Sequence, residues 1–129
     1  MGLFQYAISL VDPQGTREEV VMPWVDTGAM YCQFPASLLE GLGYRPNATR
    51  RFPMADGSQV VRPLGPINIR IGDEVQPIPC VYGPGDDTMM LLGAIALESF
   101  SLSADPTTGT LNPTLGMMLT MHVVEDNPQ

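Results

Sequence analysis

The sequence predicts an all-β domain, a sandwich or small closed barrel, and three observations carry that prediction. Short apolar runs recur between clusters of turn residues along nearly the whole chain. Glycine and proline supply 13 residues each of the 129, without a period, a share that disfavours long helices. Only two short segments carry helical signals. The length suits one domain, assigned to residues 1–113, with 114–129 as a C-terminal tail.

The elements follow in order. Residues 3–11 are dense in aliphatic and aromatic side chains, Asp12-Pro13-Gln14-Gly15 is turn chemistry, and residues 20–25 supply the return strand of an opening hairpin. Residues 35–42 bring together Leu38, Leu39 and Leu42 with Gly41 and Gly43 at the far end, which predicts a helix of about two turns. Between Arg50 and Leu64 two extended runs flank Ala55, Asp56, Gly57 and Ser58. Asp-Gly there predicts a protruding hairpin whose two central residues both take positive φ. Ile67, Ile69 and Ile71 alternate with Asn68, Arg70 and Gly72, the period of a half-buried strand. Residues 75–82 follow, where Pro77 and Pro79 predict an edge or bulge. Residues 83–87 form a loop, 89–92 a short, fully apolar strand and 94–100 the second helix. Residues 101–104 and 110–111 then pair across the turn at 105–109.

Composition excludes several chemistries. All six basic residues are arginine, so neither a Walker-type phosphate loop nor a lysine Schiff base can form. Fourteen acidic residues and a net charge of −8, without a basic patch, repel nucleic acid and anionic membrane surfaces, leaving a peptide or neutral partner. Residues 1–6 lack a leader's basic and apolar regions, and no run approaches membrane-spanning length, so the expected location is cytoplasmic. Cys32 and Cys80 are expected to be reduced and buried. With His122 they have no ordinary zinc spacing, so no metal or cofactor is expected. No Gly-x-Ser-x-Gly elbow occurs.

Asp26-Thr27-Gly28 follows an apolar strand and precedes Ala29, so a carboxylate emerges where a buried strand ends. The tripeptide alone also suits an ordinary turn. A second element, Met90-Leu91-Leu92-Gly93, is an apolar strand ending in glycine before a short helix, and the Asp56-Gly57 hairpin lies between the two.

In this order, from the opening hairpin through Val25 to Ala29, the flap-like hairpin and Leu91 to Gly93, the chain resembles the retropepsin-type aspartic proteases over about residues 3–113. The likeness is strongest to small free-standing bacterial members. The resemblance implies a small closed barrel with a flap hairpin and one or two short helices. It implies that Asp26 is catalytic, that Thr27 and Gly28 support its loop, and that Ala29, Met30, Met54, Ala55, Asp56, Gly57, Ser58, Leu91, Gly93 and Ala94 meet a peptide substrate. Only one Asp-Thr-Gly is present, so the resemblance further implies a homodimer with one Asp26 from each subunit.

Three positions depart from the viral pattern. Met30 and Ala94 stand where viral enzymes commonly pair an Asp with an Arg, and Trp24 replaces an aliphatic residue. Trp24 reads as a core aromatic. The departures motivate an alternative: a catalytically silent dimerisation or peptide-binding module of the same fold. In the tail, Leu119, Met121 and Val123 alternate as in a strand, which suits an interface between subunits or a cap on the chain's own barrel.

Overall fold

A computed structural model describes residues 3–114. The strand expected in the tail and His122 lie outside the described residues.

The opening residues form a two-stranded ribbon built in two registers. Strands β1 (Phe4–Gln5), β2 (Ile8–Val11), β3 (Glu18–Val21) and β4 (Trp24–Val25) pair as β2 with β3 and β1 with β4. Between the registers Pro23 has no N–H to donate, and its carbonyl instead accepts Tyr6 N–H at 3.0 Å. At the hairpin turn Gly15 adopts φ 74° and donates its N–H to the Asp12 carbonyl. The Asp12 side chain is buried and accepts Thr16 N–H, Thr16 Oγ1–H and Arg17 N–H.

The rest of the chain adds β5 (Cys32–Pro35), α1 (Ala36–Gly41), β6 (Ala48–Pro53), β7 (Gln59–Ile71), β8 (Glu74–Gly83), β9 (Leu91–Leu92), α2 (Ala94–Ser99), β10 (Leu102–Asp105) and β11 (Thr110–Pro113). One sheet runs β1-β4-β9-β5-β8-β7-β2-β3, with β6 attached to β7, and β10 and β11 form a separate hairpin. The sheet's two end strands belong to the two halves of the opening ribbon, so the chain itself joins one end of the sheet to the other. This is the predicted all-β architecture, with two short helices.

Inside it pack Ile8, Leu10, Val25, Phe34, Leu39, Ile67, Ile69, Ile78, Tyr82 and Leu92, all essentially without solvent exposure. The Ile67/Ile69 alternation faces inward as predicted, while Asn68 and Arg70 remain half-buried. Cys32 and Cys80 sit opposite each other on β5 and β8, both free and fully buried. Burial pushes the Cys80 thiol well above its ordinary pKa.

Four local expectations need correction. The hairpin turn is not a two-residue loop, because only Gly57 has positive φ (91°), while Gly57 N–H donates to Met54 O and Met54 N–H to Ser58 O. Five residues, 54–58, link Pro53 to Gln59, a longer loop in which one glycine takes the left-handed position. Second, the strand expected after Leu64 is continuous with the hairpin: β7 runs 13 residues through Pro63, Gly65 and Pro66. Pro63, Pro66, Pro77 and Pro79 all fall on stretches of β7 or β8 with a neighbour on one side only, where a missing N–H costs no ladder bond. Third, Trp24 is half-buried and not part of the core, since Val25 takes the inward face of β4. Finally, the strand expected over 89–92 is only Leu91–Leu92, and Met89 is 55% exposed.

Candidate active site

Asp26 leaves the end of β4, which is clamped between antiparallel β1 and parallel β9. Its N–H donates to Leu92 O at 3.0 Å, continuing the β4–β9 pairing by one step. The chain then turns: Ala29 N–H donates to Asp26 O at 3.1 Å, and Gly28 N–H donates to Asp26 Oδ1 at 2.9 Å. The carboxylate is thereby fixed by its own loop while remaining half-buried. A β-carbon on Gly28 would stand 3.2 Å from Asp26 Oδ1, so the glycine keeps this close approach free.

The second glycine does a related job. A β-carbon on Gly93 would lie 2.6 Å from Tyr31 O and 2.8 Å from Ala29 O. With that space empty, α2 starts directly against the Asp26 loop. Ala94 N–H donates to Ala29 O at 2.7 Å and Ile95 N–H to Met30 O at 3.1 Å. The first N–H groups of a helix have no partner within it, and α2 has no side-chain cap. Here the loop's carbonyls satisfy them, which locks loop and helix together.

Two clefts flank this loop. One, of about 420 Å³, is bordered by Ala29, Met30 and Tyr31 of the loop and by Gln33, Val81 and Leu91 of the sheet. The hairpin β6–β7 covers it with Phe52, Met54, Val60 and Arg62. The Phe52 ring meets Tyr31 edge-on, with centroids 6.0 Å apart and planes at 86°. The other cleft, of about 310 Å³, is bordered by Thr27, Gly28, Met30, Ala94, Ile95 and Glu98. A separate cavity of about 630 Å³ at Glu40, Gly43, Tyr44, Arg45 and Pro46 shares no residue with the loop.

Of the residues singled out in sequence, Asp26, Thr27, Gly28, Ala29, Met30, Leu91, Gly93 and Ala94 come together on this loop and its clamp. Met54 reaches the first cleft from the hairpin, whereas Ala55, Asp56, Gly57 and Ser58 stay exposed at its tip and border neither cleft. At that tip Asp56 accepts Ser58 Oγ–H at 2.6 Å and Ser58 N–H at 2.9 Å, which holds its carboxyl below the usual pKa. Sequence reasoning did not assign Tyr31, Gln33, Val60, Arg62 or Val81 to the site. Tyr31 and Gln33 continue the Asp26 loop into β5, and the two-residue period of the hairpin could have placed Val60 and Arg62 on one face with Phe52.

Comparison with known proteins agrees with this geometry. A family model described as aspartyl protease matches residues 17–95, more than half of the chain. The protease of simian foamy virus (mac) superposes with a TM-score of 0.53 at 17% identity, covering 74% of this chain and 93% of its own. A retropepsin-like aspartic protease from Rickettsia conorii gives a TM-score of 0.53 at 19% identity, with 80% of this chain and 82% of that one covered. At such identities the likeness concerns the fold. No curated protein matches the chain.

Proposed function

The chain belongs to the aspartyl protease family and has a retropepsin-like fold, and from that premise we propose an endopeptidase whose working unit is a homodimer sharing two Asp26 carboxyls. One observation carries the reading: a half-buried carboxylate, oriented by Gly28 N–H, stands on a loop clamped by α2 and bordered by a hairpin-covered cleft. The chain holds a single Asp-Thr-Gly, so the second carboxyl comes from a second copy.

Two carboxyl groups about 3 Å apart share one proton, because ionising both at that distance is unfavourable. The ionised member accepts a proton from a water between them, and the water oxygen adds to the scissile carbonyl as the protonated member donates to the carbonyl oxygen. The tetrahedral intermediate then collapses with the C–N bond broken and the amine protonated. Asp26 is the catalytic residue, Thr27 and Gly28 brace its loop, and Ala29, Met30, Met54, Leu91, Gly93 and Ala94 surround the peptide. Residues 55–58 at the hairpin tip close over the substrate and exclude water.

A second reading, a non-cleaving peptide-binding or dimerisation module, is favoured by Met30 and Ala94, which leave the loop without the ion pair common in viral relatives. A mixed peptide library incubated from acidic to neutral pH separates the two, with Asp26→Asn as control. Cleavage by the wild type and none by the variant is expected. Cleavage that survives in Asp26→Asn, or none from a verified dimer at any pH, would sink the hydrolytic reading.

A further inference from the structure

The cleft beneath the hairpin is apolar on most sides, yet it contains one charged group, Arg62. Arg62 stands on β7, is half-buried, and its recorded hydrogen bond goes from Nη1 to the neighbouring Val61 carbonyl at 3.2 Å. Among the described residues the ion pairs are Arg17 with Asp12 and Arg70 with Glu18, so Arg62 faces the cleft without a carboxylate partner. The hairpin register sharpens this. Phe52 pairs with Val60 and Arg50 with Arg62, so the four share one face of the hairpin; Phe52, Val60 and Arg62 border the cleft, while Arg50 is exposed beside it. Like charges directly opposite on neighbouring strands repel, and a half-buried guanidinium gains most from an anion that supplies its missing hydrogen bonds. Arg45, Arg50 and Arg51 also lack a carboxylate partner among the described residues but are exposed to solvent, whereas Arg62 is half-buried in an apolar cleft.

We infer that this cleft selects peptides carrying an acidic side chain, and that Arg62 binds that carboxylate while Phe52, Met54 and Leu91 take an adjoining apolar residue. The inference rests on the peptide-cleaving reading for its substrate but not for its chemistry. Arg50, directly across the hairpin, adds to the local positive potential.

The test uses peptides blocked at both ends, so that a side chain offers the only carboxylate, with Glu, Gln or Lys scanned through each position. Cleavage by the wild-type protein is measured as kcat/KM, and binding to Asp26→Asn by calorimetry. At one position Glu is expected to exceed Gln by about tenfold or more at neutral pH and low salt, the yield of a charged hydrogen bond. The preference shrinks with added salt and fades below about pH 4, where the peptide carboxyl protonates. Arg62→Met abolishes it, Arg62→Glu turns it toward Lys, and Arg62→Lys, which preserves the charge and guards against a folding artefact, retains it in reduced form. Equal treatment of Glu and Gln at every position, a preference that survives Arg62→Met, or no peptide bound at all overturns the inference. Acid-selective binding without any cleavage would instead leave it standing and remove the hydrolytic reading.

Discussion

Gly93 has φ −98°, a conformation open to any residue, so space alone explains its absence of a side chain. Gly93→Ala pushes a methyl against two backbone carbonyls that cannot rotate away, and should cost about 1–3 kcal/mol in urea denaturation. Gly41, at the end of α1, has nothing within 4 Å of its would-be β-carbon and no positive φ. Gly41→Ala is therefore expected to stabilise the protein by about 0.4–1 kcal/mol in the same assay. Asp12 provides a pH test. The Arg17 amide, with help from Thr16, outweighs burial and holds its carboxyl below the ordinary value of 3.8. A lowered folded-state pKa means stability present above about 3.8 and lost as pH falls through the folded value. Asp12→Ala should thus lower the denaturation midpoint at neutral pH, and its gap from the wild type should narrow in acid below that value. At this scale the place of Asp26 at the end of a buried strand was legible, because Asp-Thr-Gly after an apolar run is a local pattern. The tight fit of Gly93 was not, since the carbonyls it faces lie some 60 positions earlier in the chain.

The hairpin and the Asp26 loop are linked by the edge-on contact of Tyr31 with Phe52. A double-mutant cycle with Tyr31→Ala and Phe52→Ala should reveal a coupling of about 0.5–1.5 kcal/mol in denaturation. Additive effects would show that the two elements are independent. The existence of most elements was readable: the ribbon, both helices and the β10–β11 hairpin stand close to where turn chemistry and periodicity place them, whereas β5, between β9 and β8 in the sheet, was not foreseen. The errors lie where local signals mislead. The run ending at Leu64 and the strand from Ile67 read as separate, yet β7 continues through Gly65 and Pro66, because Pro66 sits where one side of the strand is vacant. Asp56-Gly57 reads as a two-residue turn, but Met54 and Ser58 also join the loop.

For the whole molecule, the proposed sharing of one Asp26 from each of two copies would make activity a property of the pair, since the chain holds a single Asp-Thr-Gly. Wild type mixed and re-equilibrated with Asp26→Asn at constant total concentration should lose activity as the square of the wild-type fraction, measured on any cleaved peptide. A linear decline would mean that each chain works alone. The architecture was legible in sequence because short strands, frequent turns and a lack of long periodic helices leave few alternatives. The strand order of the sheet was not, because it depends on β4 meeting β9 67 positions later, a pairing no local pattern announces.

The length of β7 bears on how the cleft opens. Leu64 is the last residue toward the tip that pairs with β8, and residues 59–63 beyond it are held by β6 alone. The hairpin is thus a cantilever, two strands thick, rooted at Leu64 in the main sheet. A beam built this way bends along its free span and leaves its anchorage still, so access to the cleft can change without moving the β4–β9 clamp that holds Asp26.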